Sequence, residues 1–314
     1  KTPSFSVDPE NQLYHCFGCG AGGNVFTFIM GIERLEFLDS VKFLAESKGM
    51  DLPHMASGTV NDEKERQKQD LYRLNREAAL FYHNSLLSKE GDNALAYLRS
   101  RGMDDRTIRI FGLGYAPDSW DATMDYLLAK GFDKQTLIDG GMVIDKNQRV
   151  YDRFRNRIIF PIIDHRDRVV GFGGRVMDNG MPKYLNSAES PVFDKSRVLF
   201  GLNLARKQRP IEDLIIVEGY LDAITLYRHG FPNTVASLGT ALTGEQARLI
   251  RRYTRDVYIA YDGDGAGRRA TLRGLDVLRD RGLNVKVIKF PEGLDPDDTI
   301  WKHGVEYFEK LKKN

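Results

Sequence analysis

"YIAYDGDGAG", residues Tyr258–Gly267, leads from a run of β-forming residues straight into two aspartates and three glycines. Asp and Gly are the usual residues of tight turns and Asp also caps helices, so Asp262 and Asp264 could simply form a strand-to-helix connection. Two carboxylates so close together also repel each other unless a cation lies nearby. The stretch therefore indicates either a turn or a cation site, and the sequence around it has to distinguish the two.

The region after residue 209 alternates strand-like and helical patterns. The short, largely apolar runs are "DLIIVE", "NTVASL", "DVYIAYD" and "NVKVIKF". Helical patterns lie between them at about 220–229, 243–252 and 266–281. This alternation predicts βαβ units and a buried parallel sheet, and such sheets bind ligands beyond the carboxyl ends of their strands.

Acidic residues occupy those strand ends. They are Glu218 after the first strand, Asp262 and Asp264 after the third, and Asp295, Asp297 and Asp298 after the fourth. Asp222 lies one turn into the helix after Glu218, so it can face the same crevice. Hard oxygen ligands suit Mg²⁺ or Mn²⁺, which also bind waters and substrate phosphates. An EF-hand calcium loop is excluded, because its twelfth position would be Arg273 where a bidentate glutamate is needed.

Two arginines, Arg268 and Arg269, fall in the first turn of the helix predicted after Asp264. The positive end of the helix dipole disfavours cations at such positions. Violations of this kind concentrate at functional sites, so they favour the cation-site interpretation over the simple turn.

The composition is that of an ordinary soluble globular protein with two or three domains. The chain has 314 residues, 41% of them apolar, and no apolar run approaches the ~20 residues of a membrane span. It has only two cysteines, which argues against a disulfide scaffold and for a reducing compartment. The net charge is +2, but residues 149–209 hold 13 Lys/Arg against 6 Asp/Glu. That local excess predicts a polyanionic partner.

Changes of pattern predict four segments. They are a small N-terminal unit at 1–50, a linker at 51–62, a mixed α+β region at 63–209 and the α/β region at 210–314. The linker is inferred from Gly, Pro and small polar residues, and the mixed region from an amphipathic helix followed by short β-runs. The chain starts at Lys1 without a methionine, so we expect a further stretch upstream.

Several motifs together resemble a known family. Glu218 in "VEGYLD", followed by Asp262-Gly-Asp264, resembles the Toprim fold shared by bacterial primases, topoisomerases and some nucleases. "KTPSFSVDPENQLYHCFGCGAGGNVFTFIM" is similar to the zinc-ribbon domain of bacterial DnaG-type primases, and "YDRFRNRIIFPI", "GFGGR" and "PKYLNS" are similar to their basic region. The resemblance runs in order along nearly the whole chain.

The resemblance implies a fold of the α/β and α+β classes. A Toprim-type parallel sheet flanked by helices would be preceded by a mixed α+β basic subdomain and by a small zinc-ribbon-like unit. It also implies a catalytic set of Glu218, Asp262 and Asp264. The residues expected to hold Mg²⁺ or Mn²⁺ are Glu218, Asp222, Asp262, Asp264, Asp295 and Asp297.

The basic region would bind nucleic acid and nucleotides. Arg153, Arg155 and Arg157 alternate with other residues, so a strand would present all three on one face, as a phosphate track requires. A solvated strand face with three arginines remains the alternative. By resemblance, the nucleotide or primer groove would be lined by Arg101, Arg175, Lys183, Tyr184 and Lys195. Tyr184 could stack a base or could be a core aromatic.

Cys16 and Cys19 have the spacing of a zinc ligand pair, but a structural zinc site needs four ligands. A redox pair or two buried thiols remain alternatives. In the zinc ribbon that the segment resembles, a Cys-x-x-His pair lies just upstream, so we expect Zn²⁺ to bind well only when those residues are present.

The sequence therefore predicts a bacterial primase, a DNA-dependent RNA polymerase that makes short primers on single-stranded DNA. By resemblance its partners would be the template, NTPs, the RNA–DNA product, the replicative helicase and the single-stranded-DNA-binding protein, in the cytoplasm and with no membrane. We expect the C-terminal helices and the helicase-binding domain of the family to lie outside this sequence. The alternatives are a Toprim nuclease or topoisomerase-like enzyme, and a non-catalytic zinc-ribbon protein that binds single-stranded DNA.

Overall fold

A computed structural model describes residues 4–33, 35, 37–48, 50, 59–147, 149–178, 180–208, 210–239 and 241–313. The chain divides into two compact units, residues 1–62 and residues 63–314. Residues 51–58 of the predicted linker lie outside the described residues, whereas residues 59–62 are already helical.

The N-terminal unit is a three-stranded antiparallel sheet with two helices. Its elements are β1 (Phe5–Asp8), β2 (Leu13–Cys16), β3 (Gly22–Asn24), α1 (Val25–Glu33) and α2 (Phe37–Lys48). The rings of Phe5 and Phe28 each lie against Tyr14, with centroid distances of 5.5 and 5.2 Å. This aromatic cluster packs α1 against the sheet.

The first half of the larger unit contains the basic region. Its elements are α3 (Thr59–Leu87), α4 (Asp92–Ser100), α5 (Asp105–Phe111), β4 (Gly114–Ala116), α6 (Ala122–Ala129), α7 (Lys134–Asp139), β5 (Val143–Lys146), β6 (Arg149–Asp152), β7 (Arg157–Ile163), β8 (Val169–Val176), β9 (Tyr184–Asn186) and α8 (Leu202–Ala205). Strands β4, β7, β8 and β9 form an antiparallel sheet in the order β4-β7-β8-β9, and β5 pairs with β6 in a separate hairpin.

The second half is the predicted α/β region. Its elements are β10 (Asp213–Val217), α9 (Tyr220–Arg228), β11 (Thr234–Ala236), α10 (Gly244–Arg251), β12 (Asp256–Ile259), α11 (Gly265–Arg279), β13 (Asn284–Val287), α12 (Pro296–His303) and α13 (Val305–Lys313). The strands pair in parallel in the order β11-β10-β12-β13. The predicted parallel sheet flanked by helices is thereby confirmed.

The two sheets of the larger unit share one core. Tyr220, at the start of α9, stacks on Phe160 of β7 with ring centroids 4.9 Å apart. Gly173 of β8 allows this approach, because a Cβ at that position would overlap the Tyr220 ring. The carboxyl ends of the parallel strands are thereby held against the antiparallel sheet.

Candidate active site

A cavity of about 400 Å³ lies at the carboxyl end of the parallel sheet. One wall is acidic and comes from the loops after the parallel strands, and the other is basic and comes from the antiparallel sheet and the turn after α4. The charged and tyrosine residues that line it are Arg101, Arg175, Lys183, Tyr184, Glu218, Tyr220, Asp222, Asp262, Asp295, Asp297 and Asp298.

The acidic wall is assembled by the ends of four elements. Glu218 directly follows β10, and Asp222 lies in the first turn of α9, where its Oδ2 accepts the Gly219 N–H at 3.1 Å. Asp262 follows β12, and Asp295 caps α12 by accepting the Asp298 N–H at 2.6 Å. Residues far apart in sequence thus converge at one edge of the sheet.

The carboxylates of this wall are poorly stabilised in their charged form. Burial raises the pKa of Glu218, and the neighbouring Asp262 raises it further. Burial and the repulsion from Asp295 raise the pKa of Asp262 to about 6 and that of Asp222 well above its usual value. Burial also raises the pKa of Asp295. Each shift has the sign expected for clustered acids that lack a compensating cation.

Asp264 differs from the other predicted ligands. It is exposed and lies outside the residues that line the cavity, and its Oδ1 accepts the Gly267 N–H at 2.6 Å as the cap of α11. The glycines of this turn are required sterically, because a Cβ at Gly267 would overlap the backbone of Asp262 and one at Gly263 would overlap the Pro291 carbonyl. "DGDGAG" therefore does form a turn that begins a helix. The cap uses one carboxylate oxygen of Asp264, and the other oxygen takes no part in it.

Asp297 is buried and engaged by three donors. Its Oδ1 accepts from Thr225 Oγ1 at 2.7 Å and from Trp301 Nε1 at 3.1 Å, and its Oδ2 accepts from Arg101 Nη1 at 3.4 Å. Its contacts thus tie α9 and α12 to the turn that carries Arg101.

The basic wall contains four of the five residues predicted for the nucleotide groove. Arg101, Arg175, Lys183 and Tyr184 line the cavity, whereas Lys195 lies outside the lining residues. The Arg175 guanidinium is 5.5 Å from the Tyr184 ring centroid and 5.3 Å from that of Tyr97.

Two residues of this region were not predicted from the sequence: Asn186, which lines the cavity, and Tyr97, which lies outside the lining residues with its ring against Arg175. Asn186 receives a hydrogen bond from Tyr220 Oη at 2.6 Å and donates to the Leu238 carbonyl at 3.2 Å. The spacing of Tyr97 and Arg101, four residues apart on the same helical turn, was the available indication for Tyr97.

The three arginines of "RFRNR" do not share a strand face, so that premise is wrong. Arg157 alone lies in a strand, and the chain between β6 and β7 is irregular, with Asn156 in the left-handed region at φ 46°. Arg157 is buried and donates to the Pro182 carbonyl at 2.9 Å, and Arg153 donates through Nε and Nη2 to the Asn186 carbonyl at 3.1 and 2.8 Å. Backbone carbonyls of distant segments, those of Asn186 and Pro182, therefore hold the guanidinium groups of Arg153 and Arg157.

Arg155 is the arginine of this set that stacks on surface aromatics. Its guanidinium lies 4.1 Å from the ring centroid of Trp120 and 5.2 Å from that of Tyr151, and it donates to the Asp152 carbonyl. Trp120 is 63% exposed, which is unusual for so large an apolar side chain. Sequence alone gives no indication that Trp120 and Arg155 meet.

The acidic wall fits a hard divalent cation. Glu218 Oε1 is buried and has no hydrogen-bond partner among the residues described above. Within those same ranges, no three His, Cys, Asp or Glu side chains converge so as to hold a metal ion as they stand. Mg²⁺ keeps several waters and takes as few as one or two carboxylates, so a fully formed protein cage is not required.

Cys16 ends β2 and Cys19 lies in the turn that follows, and the surroundings of Cys16 favour its thiolate. A hydrogen bond with Ser4, followed by backbone N–H groups of Cys19 and Gly18, lowers the pKa of Cys16 to about 7. Zinc binds thiolates, so this environment fits one half of a zinc site.

Family models match three consecutive parts of the chain. They describe a CHC2 zinc finger at residues 1–59, the N-terminal domain of the DNA primase catalytic core at 81–206 and a Toprim-like domain at 215–300. Both the zinc-finger and the Toprim families imply metal binding. Among the described residues, no helix combines the length and the apolar character needed to cross a bilayer.

Curated relatives and solved structures agree with these matches. The DNA primases of Clostridium acetobutylicum and Halalkalibacterium halodurans are 46% and 45% identical over 100% and 98% of this chain, and each alignment covers 52% of the relative. The chain thus spans about half the length of the curated relatives it matches. The zinc-binding and RNA polymerase domains of the Aquifex aeolicus primase superpose with a TM-score of 0.73 at 36% identity, covering 100% of this chain and 75% of that one. A DnaG primase catalytic domain bound to single-stranded DNA superposes with a TM-score of 0.74 at 41% identity, covering 79% and 80%.

Proposed function

The chain belongs to the DnaG-type DNA primase family, and on that premise we propose that it carries the nucleotidyl-transfer site of a DNA-dependent RNA polymerase that makes short RNA primers on single-stranded DNA. One observation carries the proposal. Carboxylates raised in pKa face arginines and a lysine across a single cavity, with Asp262 on one wall and Arg175 on the other. Such a site can bind a metal-complexed triphosphate between its walls.

The reaction joins a primer 3′-hydroxyl to the α-phosphorus of an NTP. A new oxygen–phosphorus bond forms, the bond from the α-phosphorus to the bridging oxygen of the β-phosphate breaks, and pyrophosphate leaves with that electron pair. The hydroxyl proton passes to solvent or to a nearby base. No single carboxylate is assigned as that base, because the titrations of clustered acids belong to the cluster as a whole.

The carboxylates would hold Mg²⁺ or Mn²⁺ on the acidic wall. Glu218, Asp262 and Asp264 would be the main ligands, with help from Asp222 and Asp295, and Asp297 would join only by releasing Arg101. When bound, the ion would act as a Lewis acid that lowers the pKa of the primer 3′-hydroxyl and offsets negative charge on the phosphates. Glu218 would be a ligand through a side chain whose Oε1 is buried and has no hydrogen-bond partner in the described part of the chain.

The basic wall would bind the nucleotide. Arg101, Arg175 and Lys183 would pair with its phosphates, while Tyr184 supports the Arg175 guanidinium from one side. Lys195 would contribute from outside the cavity, where a longer primer–template duplex could reach it.

The template would lie along the surface that carries Arg155 and Trp120. An exposed aromatic ring beside a guanidinium is the arrangement on which single-stranded nucleic acids stack. Arg153 and Arg157 would support this surface from within, because backbone carbonyls hold their guanidinium groups. One relative's catalytic domain has been solved with single-stranded DNA, which supports this choice of template.

By family resemblance, the N-terminal unit would bind Zn²⁺ through Cys16 and Cys19 if two further ligands are present upstream. By family resemblance, the helicase and the single-stranded-DNA-binding protein would be partners of the whole protein at a bacterial replication fork, in the cytoplasm.

One assay tests the proposal. The chain is incubated with a single-stranded DNA template, four NTPs and Mg²⁺, and the products are resolved by size. We expect short RNA that depends on template and on Mg²⁺ and is absent with Asp262→Asn. Cut DNA would indicate a nuclease instead, and template binding without any product would indicate a DNA-binding protein.

A further inference from the structure

We propose that Tyr97 is a positioning residue for nucleotide binding: its ring holds the Arg101 and Arg175 guanidinium groups in the cavity so that Arg175 can bind the triphosphate. This inference rests on the proposed function and concerns the same site. Tyr97 lies near the end of α4, four residues before Arg101. It is half-buried, with its ring packed against the core that the two sheets share.

Arg175 is a buried cation that forms no ion pair with any carboxylate of the described residues. Its side chain is 7% exposed, and its Nε and Nη1 atoms are buried without a hydrogen-bond partner in the part of the chain that the structure describes. Within that part no carboxylate lies within ion-pair distance of Arg175. A desolvated guanidinium in this state is costly unless a ligand completes its hydrogen bonds.

Two tyrosine rings are what Arg175 has in place of an anion. Its guanidinium carbon lies 5.3 Å from the Tyr97 centroid and 5.5 Å from the Tyr184 centroid, within the range of a cation–π interaction. These rings attract the positive charge but leave the N–H edge of the guanidinium free to donate. A planar, fixed guanidinium with free N–H groups is suited to phosphate oxygens.

Arg101 also lies against the Tyr97 ring, but unlike Arg175 it has a carboxylate partner. Its guanidinium carbon lies 5.9 Å from the Tyr97 centroid, and its Nη1 is 3.4 Å from Asp297 Oδ2. Asp297 therefore balances the charge of Arg101, whereas Arg175 remains unbalanced. The Tyr97 ring thus contacts two guanidinium groups. Of these, Arg175 is the one available to bind an added anion.

The charges of the cavity indicate which anion fits. The opposite wall is acidic at Glu218, Asp222 and Asp262, so a free monoanion gains little there. A polyphosphate can place one end on Arg175 and share a divalent cation with the carboxylates at its other end. The ligand class is therefore a nucleoside triphosphate or the pyrophosphate that leaves.

The test compares Tyr97→Leu with Tyr97→Phe. Leucine removes the ring, and phenylalanine keeps it while removing the hydroxyl. We expect Tyr97→Leu to weaken binding of inorganic triphosphate with Mg²⁺ about five- to thirty-fold by calorimetry, the range of a partly desolvated cation–π contact. The KM for NTP should rise by a similar factor with kcat within about two-fold, and Tyr97→Phe should restore both values.

Tyr126→Leu is the matched control. Its half-buried ring also lies near a cation, 5.2 Å from Lys130 Nζ, but it does not line the cavity and is not in cation–π contact with Arg101 or Arg175. We expect it to leave triphosphate binding unchanged. If Tyr126→Leu loses as much triphosphate affinity as Tyr97→Leu, the effect of Tyr97→Leu is general destabilisation and the proposal is overturned.

Other outcomes also decide. Parent-like binding and KM in Tyr97→Leu would overturn the proposal, and so would a loss in Tyr97→Phe as large as that in Tyr97→Leu. If Tyr97→Leu does not fold, Arg175→Lys is measured instead. It should lose about ten-fold in triphosphate affinity, and parent-like affinity would again overturn the proposal. If the parent chain makes no RNA but binds triphosphate more tightly than Tyr97→Leu does, the proposed function is refuted and this inference still holds.

Discussion

Asp264 shows that a turn residue and a candidate metal ligand can be the same side chain. One of its oxygens accepts the Gly267 N–H, which caps α11, and the other is free of that bond. Asn caps helices about as well as Asp, so the structural role survives when the charge is removed. The charge itself can therefore be tested without disturbing the turn.

We predict that Asp262→Asn, Asp264→Asn and Glu218→Gln fold normally but lose primer synthesis by orders of magnitude. Each change keeps the shape of the side chain and removes the negative charge that a hard cation requires. Single-stranded DNA binding should be equal or tighter, because one source of repulsion with the phosphates is gone. Product yield on gels and DNA affinity by fluorescence anisotropy are the measurements.

Asp276→Asn is the control for these variants, since Asp276 is exposed on α11 and is not among the residues that line the cavity. It should synthesise primers like the parent chain. Near-normal synthesis by both Asp262→Asn and Asp264→Asn would leave "DGDGAG" as a turn without a metal.

The three arginines of "RFRNR" should separate into two behaviours. Arg155→Ala should weaken single-stranded DNA binding and flatten its salt dependence by about one slope unit, with little change in melting temperature. Arg157→Ala should instead lower the melting temperature, because the Gly174 and Pro182 carbonyls lose their donor and a buried acceptor such as that of Gly174 costs about 1–3 kcal/mol when it is left without a partner. An Arg155→Ala variant with the parent's salt slope would mean that Arg155 serves only to cover Trp120.

At the scale of elements, the parallel sheet could be predicted because its central strand β10 is apolar from Leu214 to Val217. Leu214 to Val217 are fully buried, and a strand buried on both faces gives the continuous apolar run seen in "DLIIV". The carboxyl-end rule then places Glu218 and Asp262 together without further information. This part of the candidate site follows from pattern alone.

The contacts of the basic residues could not be predicted in the same way. Period-2 spacing in "RFRNR" implies a strand, but the left-handed backbone at Asn156 breaks it, and tertiary contacts decide where each guanidinium goes. Tyr97 reaches Arg175 across 78 positions of sequence, and the distance of 5.3 Å exists only in the folded chain. Sequence reasoning finds the residue types of such a wall more easily than their partners.

Asp295 and Asp297, at the start of α12, can be compared to find which of them binds the metal ion. Asp297 already accepts three donors, so replacing it should disturb Arg101 more than a cation. We predict that Asp297→Asn weakens Mn²⁺ binding less than Asp295→Asn does and raises the KM for NTP more. Electron paramagnetic resonance of free Mn²⁺ measures the first effect, and steady-state kinetics measure the second. Equal losses of Mn²⁺ affinity would make Asp297 a direct ligand.

In the N-terminal unit, the hydrogen bond between Ser4 and Cys16 can be tested by alkylation. Ser4 Oγ lies 3.6 Å from Cys16 Sγ and contributes most to the lowered pKa of that thiol. We predict that Ser4→Ala slows the reaction of Cys16 with iodoacetamide at pH 7, because less thiolate is present. Mass spectrometry of the labelled peptide measures the rate, and an unchanged pH profile would contradict the prediction.

At the scale of the whole larger unit, the cluster of carboxylates lowers the free energy of unfolding when it is ionised. The folded pKa of Asp262 is about 6 against a usual 3.8, so the folded protein binds more protons than the unfolded one between these values. Stability contributed by this group therefore falls as the pH rises from about 4 to about 6, and the loss persists above that range. Glu218, Asp222 and Asp295 shift in the same direction.

We predict that Asp262→Asn is stabilised relative to the parent in EDTA, and that the gap between their melting temperatures widens from pH 4.5 to pH 7.5. Asparagine imitates the protonated acid, so it escapes the loss that the parent suffers on ionisation. Comparing the two chains at each pH cancels the contributions of other titrating groups. Millimolar Mg²⁺ at pH 7.5 should then raise the melting temperature of the parent more than that of the variant, because the ion stabilises the charged carboxylate only where it is present. A gap independent of pH would refute the buried-cluster argument, and equal stabilisation of both chains by Mg²⁺ would refute the placement of the cation at Asp262.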